Sequence, residues 1–288
     1  MKRFGLIGFP ISHSLSPALF RAGYGEKWGR DYYYDLIRGD DFGASYGKFI
    51  GCYDGINVTA PFKEKAFCHA DAAEPGCAGI GAANLLLKAG NGIYAYNTDY
   101  YGVRMCIGKA MHDHGMTGKA SSALIVGCGG AGKAAAAAAS GLCRETIIVN
   151  RSREKAEEFV QRMNGNSMTV RGIEDFRECF RKAGIIIFTL PAAGADILEV
   201  LAQEDFAGSG EGMPGKIILE ANYRDPQFPG LLKRMAQKEN RHTCLPEYIP
   251  GTEWLLQQAV AGFEIFTGEH PDEGSMAEVA GQTRALTV

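Results

Sequence analysis

The sequence has no Cys-x-x-Cys pair, no internal repeat, no low-complexity tract and no apolar run near the ~20 residues that span a bilayer. Each absence excludes something. Without paired spacings, the eight cysteines (Cys52, Cys68, Cys77, Cys106, Cys128, Cys143, Cys179 and Cys244) read as free thiols of a reducing compartment. Without a long apolar run, no transmembrane helix is expected. Met1-Lys2-Arg3 is basic, but the apolar stretch behind it is broken by Gly8 and Pro10, which predicts a strand and not a signal peptide. A cytoplasmic location is the default expectation. An excess of one charge sign is missing too: 30 basic against 33 acidic residues leave a net charge of -3 and a sequence pI near 6.1. That balance offers nucleic acid no electrostatic footprint. A small anionic ligand stays open, because local groups hold such ligands. What is present is the composition of a core-forming protein, 46% hydrophobic and 22% charged over 288 residues, enough for two ordinary domains.

Three textures follow one another. Residues 1–102 mix strand-like and helical segments. Phe4-Gly5-Leu6-Ile7-Gly8 predicts a strand, and Ser16-Pro17 predicts a helix start, where proline's missing N–H is not needed. Gly55–Thr59, followed by Pro61, predicts a second strand. Ala83–Leu87 and Ile93–Tyr96 around Gly90-Asn91-Gly92 predict a hairpin. Residues 103–250 are expected to carry a strand at Ser122–Val126, a glycine loop, a small-residue helix at Ala134–Ala139 and a strand at Thr146–Val149. A helix at Arg153–Met163 and a strand at Ile185–Leu190 follow. This β-α-β-α-β order predicts a doubly wound, Rossmann-like domain. Gly208–Gly215 reads as a flexible loop. From 251 a helix with Trp254, Leu255, Ala259, Phe263 and Phe266 on its apolar face is expected to return to the first domain. The fold class is therefore α/β in two domains: 1–102 plus 251–288, and 103–250.

Gly127, Gly129 and Gly132 fit G-x-G-x-x-G between an apolar strand and a helix. The first glycine permits the tight turn, the second lets a pyrophosphate approach the backbone, and the third lets helix and strand pack. Free N–H groups and the helix dipole favour phosphate there. After the next strand comes Asn150-Arg151-Ser152, with no acidic residue until Glu154. An NAD site would place a carboxylate here for the ribose hydroxyls, whereas the Arg151 fork suits a 2′-phosphate, which points to NADP. A simple tight turn and a solvated surface arginine are the plainer alternatives.

Ser14, Ser16, Thr59, Lys63, Asn84 and Asp99 lie at the ends of strand-like runs, where α/β folds place their chemistry. They form a suitable set for a small polyhydroxylated carboxylic acid. They suit a metal poorly, lacking histidine and clustered carboxylates. Each also has an ordinary reading: helix caps for the serines, a strand residue for Thr59, turn residues for Asn97 and Asp99, a surface lysine for Lys63.

Their wording narrows the choice. Phe9-Pro10-Ile11-Ser12-His13-Ser14-Leu15-Ser16-Pro17, Asn57-Val58-Thr59-Ala60-Pro61-Phe62-Lys63, Gly81-Ala82-Ala83-Asn84 and Asn97-Thr98-Asp99 precede the glycine loop and Asn-Arg-Ser in this order. Gly251-Thr252-Glu253-Trp254-Leu255-Leu256-Gln257-Gln258 follows near the C-terminus. The series, spanning nearly the whole chain, resembles the shikimate dehydrogenase family. The resemblance implies NADPH-dependent reduction of 3-dehydroshikimate to shikimate in chorismate and aromatic amino acid biosynthesis. It implies Lys63 and Asp99 as the catalytic pair and Ser14 and Ser16 on the substrate carboxylate. Thr59, Asn84 and Gln258 would bind the ring hydroxyls, with Tyr223 lining the site. Gly127, Gly129, Gly130 and Ala131 match the phosphate loop, and Asn150 and Arg151, with Ser152 beside them, the 2′-phosphate clamp. It also implies two α/β domains with the site in the cleft between them. No metal, membrane or nucleic acid is expected, and the assembly is a monomer or homodimer.

This chain departs from the family pattern at Leu85 (Thr in the family), at Ile187-Phe188-Thr189-Leu190-Pro191 (roughly Asn-Ala-Thr-Ser), at Glu220–Pro226, and at Trp254 and Leu256. Three other readings compete: a quinate/shikimate dehydrogenase that accepts quinate or NAD, a ligand sensor on the same fold, and a Rossmann methyltransferase. The Lys63–Asp99 pair argues against a sensor, and the missing acid after the second strand against a methyltransferase.

Overall fold

The computed structural model describes residues 1–204, 206, 215–236 and 246–286. Of the expected loop Gly208–Gly215 all but Gly215 lies outside them, as does Cys244. The chain divides into two compact units, Met1–Gly102 with Leu255–Leu286, and a second running from Val103 to Trp254.

The first unit contains β1 (Lys2–Gly8), α1 (Ser16–Tyr24), β2 (Tyr32–Arg38), α2 (Phe42–Cys52), β3 (Gly55–Val58), α3 (Lys63–Cys68), β4 (Ala72–Ala73), α4 (Pro75–Ile80), β5 (Leu85–Ala89) and β6 (Gly92–Tyr96). Their sheet order is β2-β1-β3-β5-β6-β4. β1 is parallel to both β2 and β3, while β5 and β6 form the expected antiparallel hairpin. Alternation along β1 sends Phe4 and Leu6 to one face and Ile7 to the other. The first face joins Phe20, Tyr24 and Tyr34; the second joins Ile37, Phe49, Ile56, Val58 and Leu86. Each fully buried large side chain contributes roughly 1.5–3 kcal/mol. β5 begins two residues later than expected, because the Ala83 N–H is drawn to the Lys63 carbonyl at 2.9 Å.

α5 (Thr98–Asp113) carries the chain out of this unit and α11 (Gly251–Thr267) carries it back. Before that return, the second unit runs β7 (Ala120–Val126), α6 (Gly130–Leu142), β8 (Cys143–Val149), α7 (Arg153–Arg162), β9 (Met168–Arg171), α8 (Phe176–Lys182), β10 (Ile185–Phe188), α9 (Ala195–Gln203), β11 (Ile217–Glu220), α10 (Phe228–Ala236) and β12 (Glu247–Ile249). Its sheet is parallel throughout, in the order β12-β11-β10-β7-β8-β9. The winding reverses between β7 and β10, which places a ligand crevice at the carboxyl ends of those two strands. The alanine run of α6 is buried, and small side chains let this helix lie close to the sheet.

α11 and α12 (Glu273–Leu286) cover the first face of the first unit's sheet. The face α11 presents is Leu256, Ala259, Val260, Phe263 and Phe266, with Leu255 partly buried beside it. Trp254, expected on that face, is buried but groups with the second unit. A Cβ on Gly23 would lie 2.9 Å from Met276 Sδ, so glycine there lets α1 and α12 approach. No helix among the described residues is long and apolar enough to cross a membrane. Burial pushes the thiols of Cys77, Cys106 and Cys143 up to about 12, and every cysteine in the described residues is free.

Candidate active site

Lys63 opens α3 and Asp99 stands in the first turn of α5. The Lys63 ammonium donates to Asp99 Oδ2 at 2.6 Å, and the two side chains are only 13% and 11% exposed. The charged bond is of the strong, short kind. A buried ion pair contributes little net stability, because desolvation offsets most of the attraction.

Around this pair the first unit assembles a chain of hydrogen bonds. Asn84 Oδ1 accepts from the Thr98 N–H at 2.6 Å, and Asn84 Nδ2 donates to Thr98 Oγ1 at 2.9 Å and to Gln258 Oε1 at 3.0 Å. Asn57 Nδ2 donates to the Asn84 carbonyl at 3.3 Å, and the Tyr34 hydroxyl donates to Asn57 Oδ1 at 2.9 Å. Ser16 bonds the Tyr34 phenol, and Ser14 Oγ donates to Ser16 Oγ at 3.2 Å. Burial holds Tyr34 protonated, far above the ordinary phenol range. Ser14, Ser16, Asn84 and Gln258 are thus brought into one network, and the Lys63 carbonyl touches it through Ala83. Thr59 is half-buried beside Gly8, where a Cβ would lie 2.2 Å from Thr59 Cγ2. Tyr34, Asn57 and Thr98 are members that the sequence reading did not single out. Asn57 and Thr98 stood inside the quoted motifs; Tyr34 had no such signal.

In the second unit Gly127 has φ +99°, a region that L side chains avoid. A Cβ on Gly132 would lie 2.2 Å from the Gly127 carbonyl, so the turn closes only without one. Gly129 has nothing within 4 Å of its missing Cβ and is exposed. Gly130 and Ala131 open α6, whose N-cap makes no side-chain hydrogen bond. An open glycine, a tight turn and an uncapped helix start fit a dinucleotide pyrophosphate. Arg151 is exposed, and Ser152 is the N-cap of α7. The Asn150 amide lies between loops: Oδ1 accepts from the Cys128 N–H at 3.1 Å and Nδ2 donates to the Ser152 carbonyl at 2.8 Å. Thr189, inside the segment 187–191 that departs from the family pattern, sends its hydroxyl to the Val126 carbonyl at 2.9 Å. Tyr223 stands half-buried in the loop after β11. No group of three or more His, Cys, Asp or Glu among the described residues is placed to hold a metal ion.

Two family models match the chain: the shikimate dehydrogenase substrate binding domain over residues 6–86, and shikimate/quinate 5-dehydrogenase over residues 110–206. The shikimate dehydrogenase (NADP(+)) of Archaeoglobus fulgidus is 31% identical, across 97% of this chain and 98% of its own length. That of Halobacterium salinarum is 35% identical, across 93% and 94%. The shikimate 5-dehydrogenase of Thermus thermophilus, solved in complex with NADP(H) and shikimate, superposes with a TM-score of 0.72. It is 25% identical, across 98% of this chain and 100% of that one. Sequence likeness over nearly the whole length, on the same two-unit fold and with the motif residues in place, makes this chain a member of the shikimate dehydrogenase family.

Proposed function

We propose that this protein catalyses the NADPH-dependent reduction of 3-dehydroshikimate to shikimate. The reading rests on the buried Lys63–Asp99 pair at 2.6 Å, set among hydroxyl and amide groups suited to a hydroxylated ring acid. Gly127, Gly129, Gly130 and Ala131 would hold NADPH, with Arg151 at its 2′-phosphate, and the bound cofactor would supply the hydride. Lys63 Nζ gives a proton to the oxygen that becomes the new hydroxyl, and takes it back in the reverse direction. While protonated, it also stabilises negative charge growing on that oxygen. Asp99 holds the ammonium in place. Ser14 and Ser16 orient the substrate carboxylate, Thr59, Asn84 and Gln258 the ring hydroxyls, and Tyr223 completes the lining.

The test is absorbance at the nicotinamide band with shikimate and NADP+, repeated with NAD+ and with quinate. Rapid reduction of NADP+ by shikimate alone is expected. Equal rates with quinate or NAD+ would move the protein to the broader-specificity dehydrogenases. Lys63→Ala should lower turnover by about 10²–10⁴-fold with a much smaller change in KM for shikimate. A folded variant turning over like the wild type would remove the role given to Lys63.

A further inference from the structure

The peptide joining Gly127 to Cys128 is held by side chains on both of its edges. Its carbonyl oxygen lies 3.4 Å from Thr189 Oγ1, whose hydroxyl also donates to the preceding carbonyl, Val126, at 2.9 Å. The Thr189 N–H bonds that same Val126 oxygen at 3.0 Å. On the other edge the Cys128 N–H donates to Asn150 Oδ1 at 3.1 Å. The Asn150 amide is itself fixed by its bond to the Ser152 carbonyl at 2.8 Å. Thr189 follows β10 and Asn150 follows β8, the two strands that flank β7 in the sheet. The first peptide of the glycine loop is thus braced from both neighbouring strand ends.

Sterics point the same way. A Cβ on Gly127 would lie 2.8 Å from Thr189 Oγ1 and 2.9 Å from Leu190 Cδ2, and one on Gly132 would lie 3.0 Å from Thr189 Oγ1. The hydroxyl therefore fills the space that the two glycines leave. A glycine at φ +99° has little intrinsic preference for this orientation over a flipped one. A flip of this peptide would turn its carbonyl away from Thr189 and its N–H away from Asn150. It would also withdraw the Gly127 oxygen from beside Gly132, on which the start of α6 is seated.

We propose that Thr189 and Asn150 are positioning residues of the cofactor site. They lock the Gly127–Cys128 peptide so that the loop and the start of α6 meet the pyrophosphate already in shape. Such preorganisation raises affinity by removing an ordering cost from binding. Asn150 then acts through the loop and not as a ligand of the 2′-phosphate. The inference rests on reading the glycine loop as the NADP site.

The experiment compares wild type, Thr189→Val, Thr189→Ser and Asn150→Ala in binding two probes. NADP+ needs the loop; 2′-AMP carries the adenosine 2′-phosphate without a pyrophosphate. Thr189→Val keeps the side-chain shape and loses the hydroxyl. It should weaken NADP+ on the order of tenfold, the effect of one well-placed hydrogen bond, and leave 2′-AMP within about twofold. Thr189→Ser should restore NADP+ binding, and the KM for shikimate should not move. Asn150→Ala should show the same split between probes. Unchanged NADP+ binding in Thr189→Val, or equal loss of both probes, overturns the role of Thr189. Parallel loss of 2′-AMP in Asn150→Ala makes that residue a direct phosphate ligand and removes it from the proposal. A wild type that binds 2′-AMP as tightly as NADP+ brings down the loop assignment itself, and this inference with it.

Discussion

Neighbouring arginines need not be equivalent, and the stretch after β8 shows why. Arg153 is ion-paired with Glu174 and with Asp175, the latter at 3.5 Å. Arg151 is exposed and makes no ion pair among the described residues. Its planar fork is the one that can turn to a 2′-phosphate without first breaking a carboxylate contact. Arg151→Ala is therefore expected to raise KM for NADP+ by about 10–100-fold, the loss of one charge-assisted contact or two. KM for NAD+ should hardly change. Steady-state kinetics with both cofactors decides it, and equal effects on the two would place Arg151 elsewhere than at the 2′-phosphate. Arg151 was conspicuous in the sequence because it follows a strand in a loop whose chemistry is local. Tyr34 was not. Between Tyr32, Tyr33 and Asp35 it looks like an ordinary strand aromatic. Its bond to Asn57 exists only because β1 lies between β2 and β3, pairing Phe4 with Tyr34 and Leu6 with Asn57.

Among the elements, α8 and the end of α9 share one charged contact of some consequence. Arg177 and Arg181, one helical turn apart, both reach Glu204 at 2.6 Å. Glu204 is 6% exposed while the arginines are 38% and 63% exposed. The two guanidinium groups hold its carboxyl below the usual carboxylate value of 4.5. Because the folded value is depressed, the stabilisation is present above the unfolded value and is lost as pH falls through the folded one. Glu204→Gln should lower Tm near neutral pH by roughly 2–4 °C, about 1 kcal/mol for a protein of this size. The variant and wild type should converge in acid, below the depressed value. Melting curves across pH test this, and a constant difference at every pH would mean that packing, not charge, is involved. Strong local patterns made some elements readable: Ser122–Val126 and Thr146–Val149 are apolar and bounded, and both strands are there, each extended toward its N-terminus. α2 shows what local pattern hides. Gly43, Gly47 and Gly51 give it poor helix propensity. It forms because Asp41 caps it, accepting from the Ala44 N–H at 2.7 Å, and because Phe42 and Phe49 are buried against the sheet. β10 stops at Phe188, short of the expected Leu190, where the Thr189 hydroxyl bonds the end of β7 and Pro191 can donate no N–H.

At the scale of the whole molecule, two units, each with hydrophobic clusters of its own, carry different sets of functional groups. The hydroxyl, amide and ammonium groups proposed for the ring acid lie in the unit built on β1 and β3, except Tyr223. The glycine loop and Arg151 lie in the unit built on β7 and β10. Ligand binding stabilises whatever structure it requires, by about 2.7 kcal/mol when the free ligand stands at 100 times its Kd. Separate cores allow that stabilisation to be local, since opening free energies vary across a structure. Hydrogen exchange followed by mass spectrometry should then separate the two ligands. NADP+ should slow exchange chiefly in peptides covering residues 126–134 and 150–153, where the loop N–H groups and the start of α6 become covered. Shikimate should slow it in peptides covering residues 14–16, 59–63 and 84–99, where Asn84 and Thr98 already share hydrogen bonds. Protection by NADP+ confined to the first unit would contradict the glycine-loop assignment. Protection by shikimate confined to the second would contradict the Lys63–Asp99 site. A pattern with each ligand on its own unit would mean that the β7–β10 switch point and the β1–β3 strand ends each bind on their own terms, so that a substitution such as Arg151→Ala can retune the cofactor while leaving the ring-acid groups as they are.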